Sequence, residues 1–95
     1  MTLTAAVVTV KIPKRVDYAI APHLVADLDR KICQGSSVVL DFSQTRSIDR
    51  ELTNIFVKAA IAAKQCNARL SLQGVKPDVA VILELGGVLD YFRRR

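Results

Sequence analysis

The stretch Val38-Val39-Leu40-Asp41-Phe42-Ser43-Gln44-Thr45-Arg46-Ser47-Ile48-Asp49-Arg50-Glu51-Leu52-Thr53 decides how the chain is read. It opens as an apolar, β-branched run closed by an acid. It crosses a polar turn to a second acid and then enters the longest helix-like pattern in the sequence. Ser37 to Phe42 is a nearly continuous apolar run, which predicts a central strand covered on both faces. Asp49 is expected to cap the following helix, and Glu51 suits the positive end of its dipole. That helix is expected to run to about Cys66. On a helical wheel Leu52, Ile55, Phe56, Ala59, Ala62, Ala63 and Cys66 share one side. The other side carries Arg50, Asn54, Val57, Ile61 and Lys64. Val57 and Ile61 thus form an apolar pair facing away from the core, which reads either as ordinary surface scatter or as a partner contact.

N-terminal to this stretch, Ala6 to Ile12 is β-branched and apolar, as in a strand with Val8, Val10 and Ile12 on one face. Pro13 stops it, having no N–H to donate. Lys14 to Asp17 reads as a turn and a brief return strand. Ala21 to Cys33 reads as a helix with Pro22 in its first turn and an inward stripe of Ala21, Leu24, Val25, Leu28 and Ile32. Gln34-Gly35-Ser36 is expected to close it. His23 falls near its start and reads as a surface side chain.

C-terminal to the stretch, Ala68 to Gln73 alternates as a strand, with Gly74 as its turn. Lys76-Pro77-Asp78 starts a helix with Val79, Ile82 and Leu83 inward, ended by Gly86-Gly87. Val88 to Phe92 is expected to pack as a short lid, and Arg93 to Arg95 to fray. The order of elements is α/β, with short connections and helices covering a sheet.

At 95 residues, 51% hydrophobic and 24% charged, the whole chain, 1–95, is expected to be a single globular domain. Aromatics are only 5%, so Val, Ile, Leu and Ala must build the core. Cys33 and Cys66 lack metal-ligand spacing and read as reduced, buried thiols. No signal peptide and no run long enough for a bilayer is read, so the domain is expected to be cytoplasmic. The net charge is +5. No aromatic–basic interleaving accompanies it, so a solvated basic tail is preferred over nucleic-acid binding, and any membrane contact would be indirect.

No glycine-rich phosphate loop and no nucleophile–base set occurs. Asp41 and Asp49 could share a metal or do acid–base work, or they could cap backbone N–H groups of the turn between them. With no second polar cluster to complete a site, capping is preferred, and no enzyme activity, cofactor or metal is expected.

The passage Val-Val-Leu-Asp-Phe-Ser…Ser-Ile-Asp, the Ala-rich helix, then Ala-Arg-Leu-Ser-Leu-Gln-Gly-Val and Leu-Gly-Gly-Val-Leu-Asp-Tyr-Phe resembles a STAS domain over residues 6 to 92, and Val16-Asp17 matches the family's early segment. The resemblance implies a mixed sheet of four or five strands with helices mainly on one face. It also implies a regulatory, protein-binding role. The family includes bacterial anti-sigma-factor antagonists, which bind a kinase-type anti-sigma factor, cytoplasmic tails of sulfate-permease-type transporters, and small subunits of lipid ABC systems. In the antagonists the acid at the helix start is followed by Ser or Thr, again Ser or Thr, then Gly, and the first hydroxyl accepts phosphate. Here Asp49 fits, but Arg50, Glu51 and Leu52 follow. The usual phosphorylation is therefore not expected, and the resemblance does not extend the acceptor role to Thr45, Ser47 or Thr53.

The expected partner surface is Asp41, Asp49, Arg50, Asn54, Val57 and Ile61. The partner is expected to be a kinase-type anti-sigma factor or, alternatively, a transporter component. A homodimer seam through Val57 and Ile61 stays open.

Overall fold

The computed structural model describes residues 7–34 and 37–92. Three strands, β1 (Val7–Lys11), β3 (Ser37–Asp41) and β5 (Arg69–Gln73), form a parallel sheet in the order β1-β3-β5. Two further strands, β2 (Arg15–Val16) and β4 (Ser47–Ile48), make a separate parallel ladder. Three helices follow the alternation expected of an α/β chain: α1 (Ala21–Lys31), α2 (Asn54–Gln65) and α3 (Pro77–Leu85). The first expected strand begins one residue earlier than β1, and Ala6 lies outside the described residues, as do Gly35, Ser36 and Arg93 to Arg95.

Register explains the layering. Val8 pairs with Val38 and Val38 with Leu70; Val10 pairs with Leu40 and Leu40 with Leu72. These rows face the helices, and Val10, Val38 and Leu40 are fully buried. The intervening rows, Thr9–Val39–Ser71 and Lys11–Asp41–Gln73, lie on the opposite face, because successive strand residues point to opposite sides. There β1 and β5 are exposed and Ser37, Val39 and Asp41 half-buried. The expectation that β3 is covered on both faces is therefore corrected: it is central, but the helices cover one side only. The apolar run misled because Val39 belongs to the outer row.

Phe42 enters the core immediately after β3 and meets Phe56 of α2, with ring centroids 5.3 Å apart and planes tilted by 59°, a favourable aromatic geometry. Ala59 and Ala63, also buried on α2, let that helix lie close to the sheet. On α1, Leu24 and Leu28 are buried, as is Ile32 just beyond. Val25 is not inward as expected but 39% exposed. It sits at the rim of a cavity of about 320 Å³ between α1 and α2, lined also by Leu28, Asp29, Asn54, Ile55, Lys58 and Ala59. On α3, Val79 and Leu83 are buried and Ile82 packs half-buried against the core. The 3₁₀ turn Val88–Tyr91 closes over the core through buried Val88, as the lid reading anticipated.

Two local expectations change. Arg15–Val16 does not fold back on β1; it pairs in parallel with Ser47–Ile48, a second short strand within the expected turn. Each of these strands is only two residues long, too short for a periodic pattern. Cys33 and Cys66 are exposed and joined in a disulfide, not buried and reduced. Their separation in sequence hid that α1 and α2 end side by side.

Candidate functional site

The turn from β3 to α2 hangs on the ends of both sheets. Ile12 N–H donates to Asp41 O at 2.9 Å, and Phe42 N–H donates to Gln73 O at 2.8 Å, which extends the large sheet by one rung. Arg46 and Ser47 N–H both donate to Lys14 O, and Asp49 N–H donates to Val16 O at 2.9 Å. Asp41 thus closes the large sheet, and Asp49 closes the small ladder.

Asp41 behaves as a turn cap. Its Oδ1 accepts the N–H of Ser43 at 2.9 Å. That bond to the Ser43 backbone, together with the Ser43 hydroxyl and the nearby Lys11 and Lys76 ammonium groups, holds its carboxyl below the ordinary value of 3.8. Lys76 Nζ also donates to Ser43 O. Gly74 presses on the same residue at φ +71°, and a Cβ there would lie 2.9 Å from Ser43 Cβ. Only glycine combines that left-handed backbone with so close an approach. Beneath the turn Thr45, wholly buried, donates its hydroxyl to Ile12 O at 3.1 Å, and Gln44 Nε2 donates to the same oxygen.

At the other end Asp49 occupies the capping position with extended backbone (φ −63°, ψ 132°), but its carboxylate makes no capping hydrogen bond. The expected side-chain cap is therefore corrected. Nor does one continuous α-helix start there. Arg50–Leu52 is a 3₁₀ turn, and α2 begins at Asn54. Thr53 marks the break: its hydroxyl donates to Arg50 O at 2.9 Å, a bond that competes with regular helical bonding. Thr53 is also pinned from the far side by Gly86, where a Cβ would come within 2.7 Å of Thr53 Cβ. α3 is thereby held close against the start of α2.

That contact creates a feature missed in the sequence. Arg50, Glu51, Ile82, Leu85 and Gly86 line an open cavity of about 290 Å³. Leu85 is 64% exposed, and Val81, one turn earlier on α3, is 55% exposed. Among the described residues, the side chains of Arg50 and Glu51 enter no hydrogen bond or ion pair. The signal was legible: once Val79, Ile82 and Leu83 face inward, Val81 and Leu85 are left as an apolar pair four residues apart on the outer side.

Of the expected partner surface, Arg50, Asn54 and Ile61 are exposed, Asp49 and Asp41 are half-buried, and Asp41 is engaged with its own turn. Val57 does not face away from the core; it is half-buried and packs against it. The outer apolar stripe of α2 is therefore narrower than the helical wheel suggested, because the core reaches both flanks of the helix, with Val57 and Ala62 both packed half-buried against it. Thr45 and Thr53 are buried with their hydroxyls donated, whereas Ser43 and Ser47 are exposed. Among the described residues no cluster of three or more His, Cys, Asp or Glu side chains is arranged to hold a metal, and no helix is long and apolar enough to cross a membrane.

Three comparisons bear on this geometry. The family model described as "Mlab, STAS domain" matches residues 1–92. A solved structure of the anti-sigma factor antagonist SpoIIAA in its unphosphorylated form superposes with a TM-score of 0.75, covering 96% of this chain and 81% of that one at 15% sequence identity. At that identity the likeness speaks for the fold. Among curated proteins no sequence match is found.

Proposed function

The chain belongs to the STAS family, and on that premise we propose that it is a non-enzymatic regulatory module that binds a protein partner through the edge where α2 begins. The observation that carries this reading is the cavity formed by Arg50, Glu51, Ile82, Leu85 and Gly86, whose two charged side chains have no partner among the described residues. Asn54 and Ile61 extend the edge along α2, and Asp49 precedes Arg50 at its start, while Asp41 is engaged at the far end of the turn. An exposed leucine beside unpaired charges suits an interface with an apolar centre and a polar rim.

The proposed partner is a kinase-type anti-sigma factor, by analogy with the antagonist whose fold the chain shares, and a cytoplasmic setting goes with it. Docking here would not be switched by phosphate at the usual place. Arg50 stands where the acceptor hydroxyl would be, and the buried hydroxyls of Thr45 and Thr53 are already committed to backbone carbonyls.

Affinity capture from source cells tests the reading, with wild type compared against Arg50→Glu/Leu85→Asp. Capture of a kinase-type protein by wild type and not by the folded variant supports it. Selective capture of a permease or ATPase component would move the assignment to a transporter subunit. Equal capture by both proteins would remove the edge from consideration. Incubation of the chain with a captured kinase and ATP, read by mass spectrometry, should leave residues 45–53 without phosphate.

A further inference from the structure

Cysteine is among the most buried residue types, yet Cys33 and Cys66 are both exposed while joined to each other. Their placement is fixed by the fold. Cys33 follows Ile32, the buried residue that caps the C-terminus of α1. Cys66 caps the C-terminus of α2 inside a tightly bonded helix stop. There Asn67, at φ 58°, donates to Lys64 O at 3.1 Å, and Ala68 donates to Ala63 O at 2.8 Å, the paired bonds of a Schellman motif. Buried Ala63 anchors this stop to the core. The two Cα atoms are 5.6 Å apart, within the range a disulfide spans without backbone movement. The dithiol form would therefore keep its sulfurs within reach of each other.

The bond crosses a seam that packing leaves partly open. Between α1 and α2 lies the cavity of about 320 Å³ bordered by Val25, Leu28, Asn54 and Lys58. The covalent tie sits where the two helices end, and solvent reaches both residues. Exposed disulfides belong to the labile class, since an attacking thiolate can reach a sulfur.

We propose that Cys33 and Cys66 form a reversible thiol–disulfide latch across the α1–α2 seam, closed and opened by exchange with small-molecule disulfides and thiols of the glutathione type. In closing, one cysteine thiolate attacks a sulfur of the small disulfide, forming a mixed disulfide and releasing one small thiol. The second cysteine then attacks the protein sulfur of that mixed disulfide and releases the other. Two electrons pass from the cysteine pair to the small disulfide, and the two thiol protons end on the released thiols. The latch is independent of the docking edge and stands whether or not that edge binds a partner.

The test equilibrates the full chain in glutathione buffers of graded oxidised-to-reduced ratio, traps free thiols by alkylation and reads them by mass spectrometry. The expected result is joint loss of both thiols, a peptide linking Cys33 to Cys66, and complete reversal on return to reduced glutathione with an unchanged far-ultraviolet spectrum. Closing a loop of this length is expected to raise Tm by about 15 °C over the reduced wild type. Cys33→Ser/Cys66→Ser should melt alike in both buffers, near the reduced wild type. If that variant fails to fold, the reduced wild type supplies the same comparison. Thiols that both stay alkylatable in oxidised glutathione overturn the proposal. So do glutathione adducts without the internal link, a crosslink between two chains, or a link that reduced glutathione opens only after unfolding.

Discussion

The two ends of the β3–α2 turn carry similar residues and use them differently. At the Asp41 end the carboxylate accepts a backbone N–H, Lys76 reaches over to Ser43 O, and Gly74 closes on the same residue. At the Asp49 end the carboxylate caps nothing, and the Arg50 and Glu51 side chains have no partner among the described residues. One end uses its polar groups to hold itself together, and the other keeps them available in an open cavity shared with Ile82 and Leu85. An acid at a strand end or helix start is therefore not assignable by position alone; what decides is whether a backbone donor lies within its reach.

Substitutions at the locked end should lower stability, and substitutions at the open end should leave it nearly unchanged. The largest effect is expected for Gly74→Ala, which forces a Cβ onto Ser43 from a left-handed backbone. It should cost about 1–3 kcal/mol in urea-unfolding free energy. Thr45→Val keeps the shape but removes the hydroxyl donated to Ile12 O, and a loss of about 1 kcal/mol is expected in the same assay. If both variants unfold like wild type, the locked end is not locked.

A smaller effect should appear with acid. The carboxyl of Asp41 is held below 3.8 in the folded state, chiefly by the Ser43 N–H. A depressed carboxylate contributes stability that is present above its unfolded-state value and lost as pH falls through the folded one. Wild type should thus lose part of its stability below about pH 4, and Asp41→Asn should lose less over that range, read as Tm against pH. Identical slopes would detach Asp41 from the turn. The smallest change in stability, within about 0.5 kcal/mol, is expected for Arg50→Glu and Leu85→Asp, because both side chains are exposed.

Much of this was legible in the sequence. The parallel α/β order, the core of Val10, Val38, Leu40, Phe56 and Leu83, and the Asp41 turn follow from periodicity and turn chemistry. Three features were not, each for a physical reason. β2 and β4 are two-residue strands that exist only because the turn brings Lys14 and Arg46 together. The 3₁₀ start of α2 depends on a Thr53 bond and on Gly86 from a distant helix. The disulfide depends on where two helices end relative to each other. The exposure of the proposed edge was half legible: Arg50, Asn54 and Ile61 are exposed as the helical pattern implies, whereas Val57 packs against the core and the exposed Leu85 lies on α3, in a helix whose pattern points to its inward face.

The most direct measurement is the affinity of the captured partner for wild type and for Arg50→Glu/Leu85→Asp, by calorimetry on unphosphorylated protein. Tight binding to wild type, weakened at least about tenfold in a variant with unchanged Tm, is the expected result, a loss of about 1.4 kcal/mol or more. Equal affinity for a variant that remains folded would contradict the assignment of this edge.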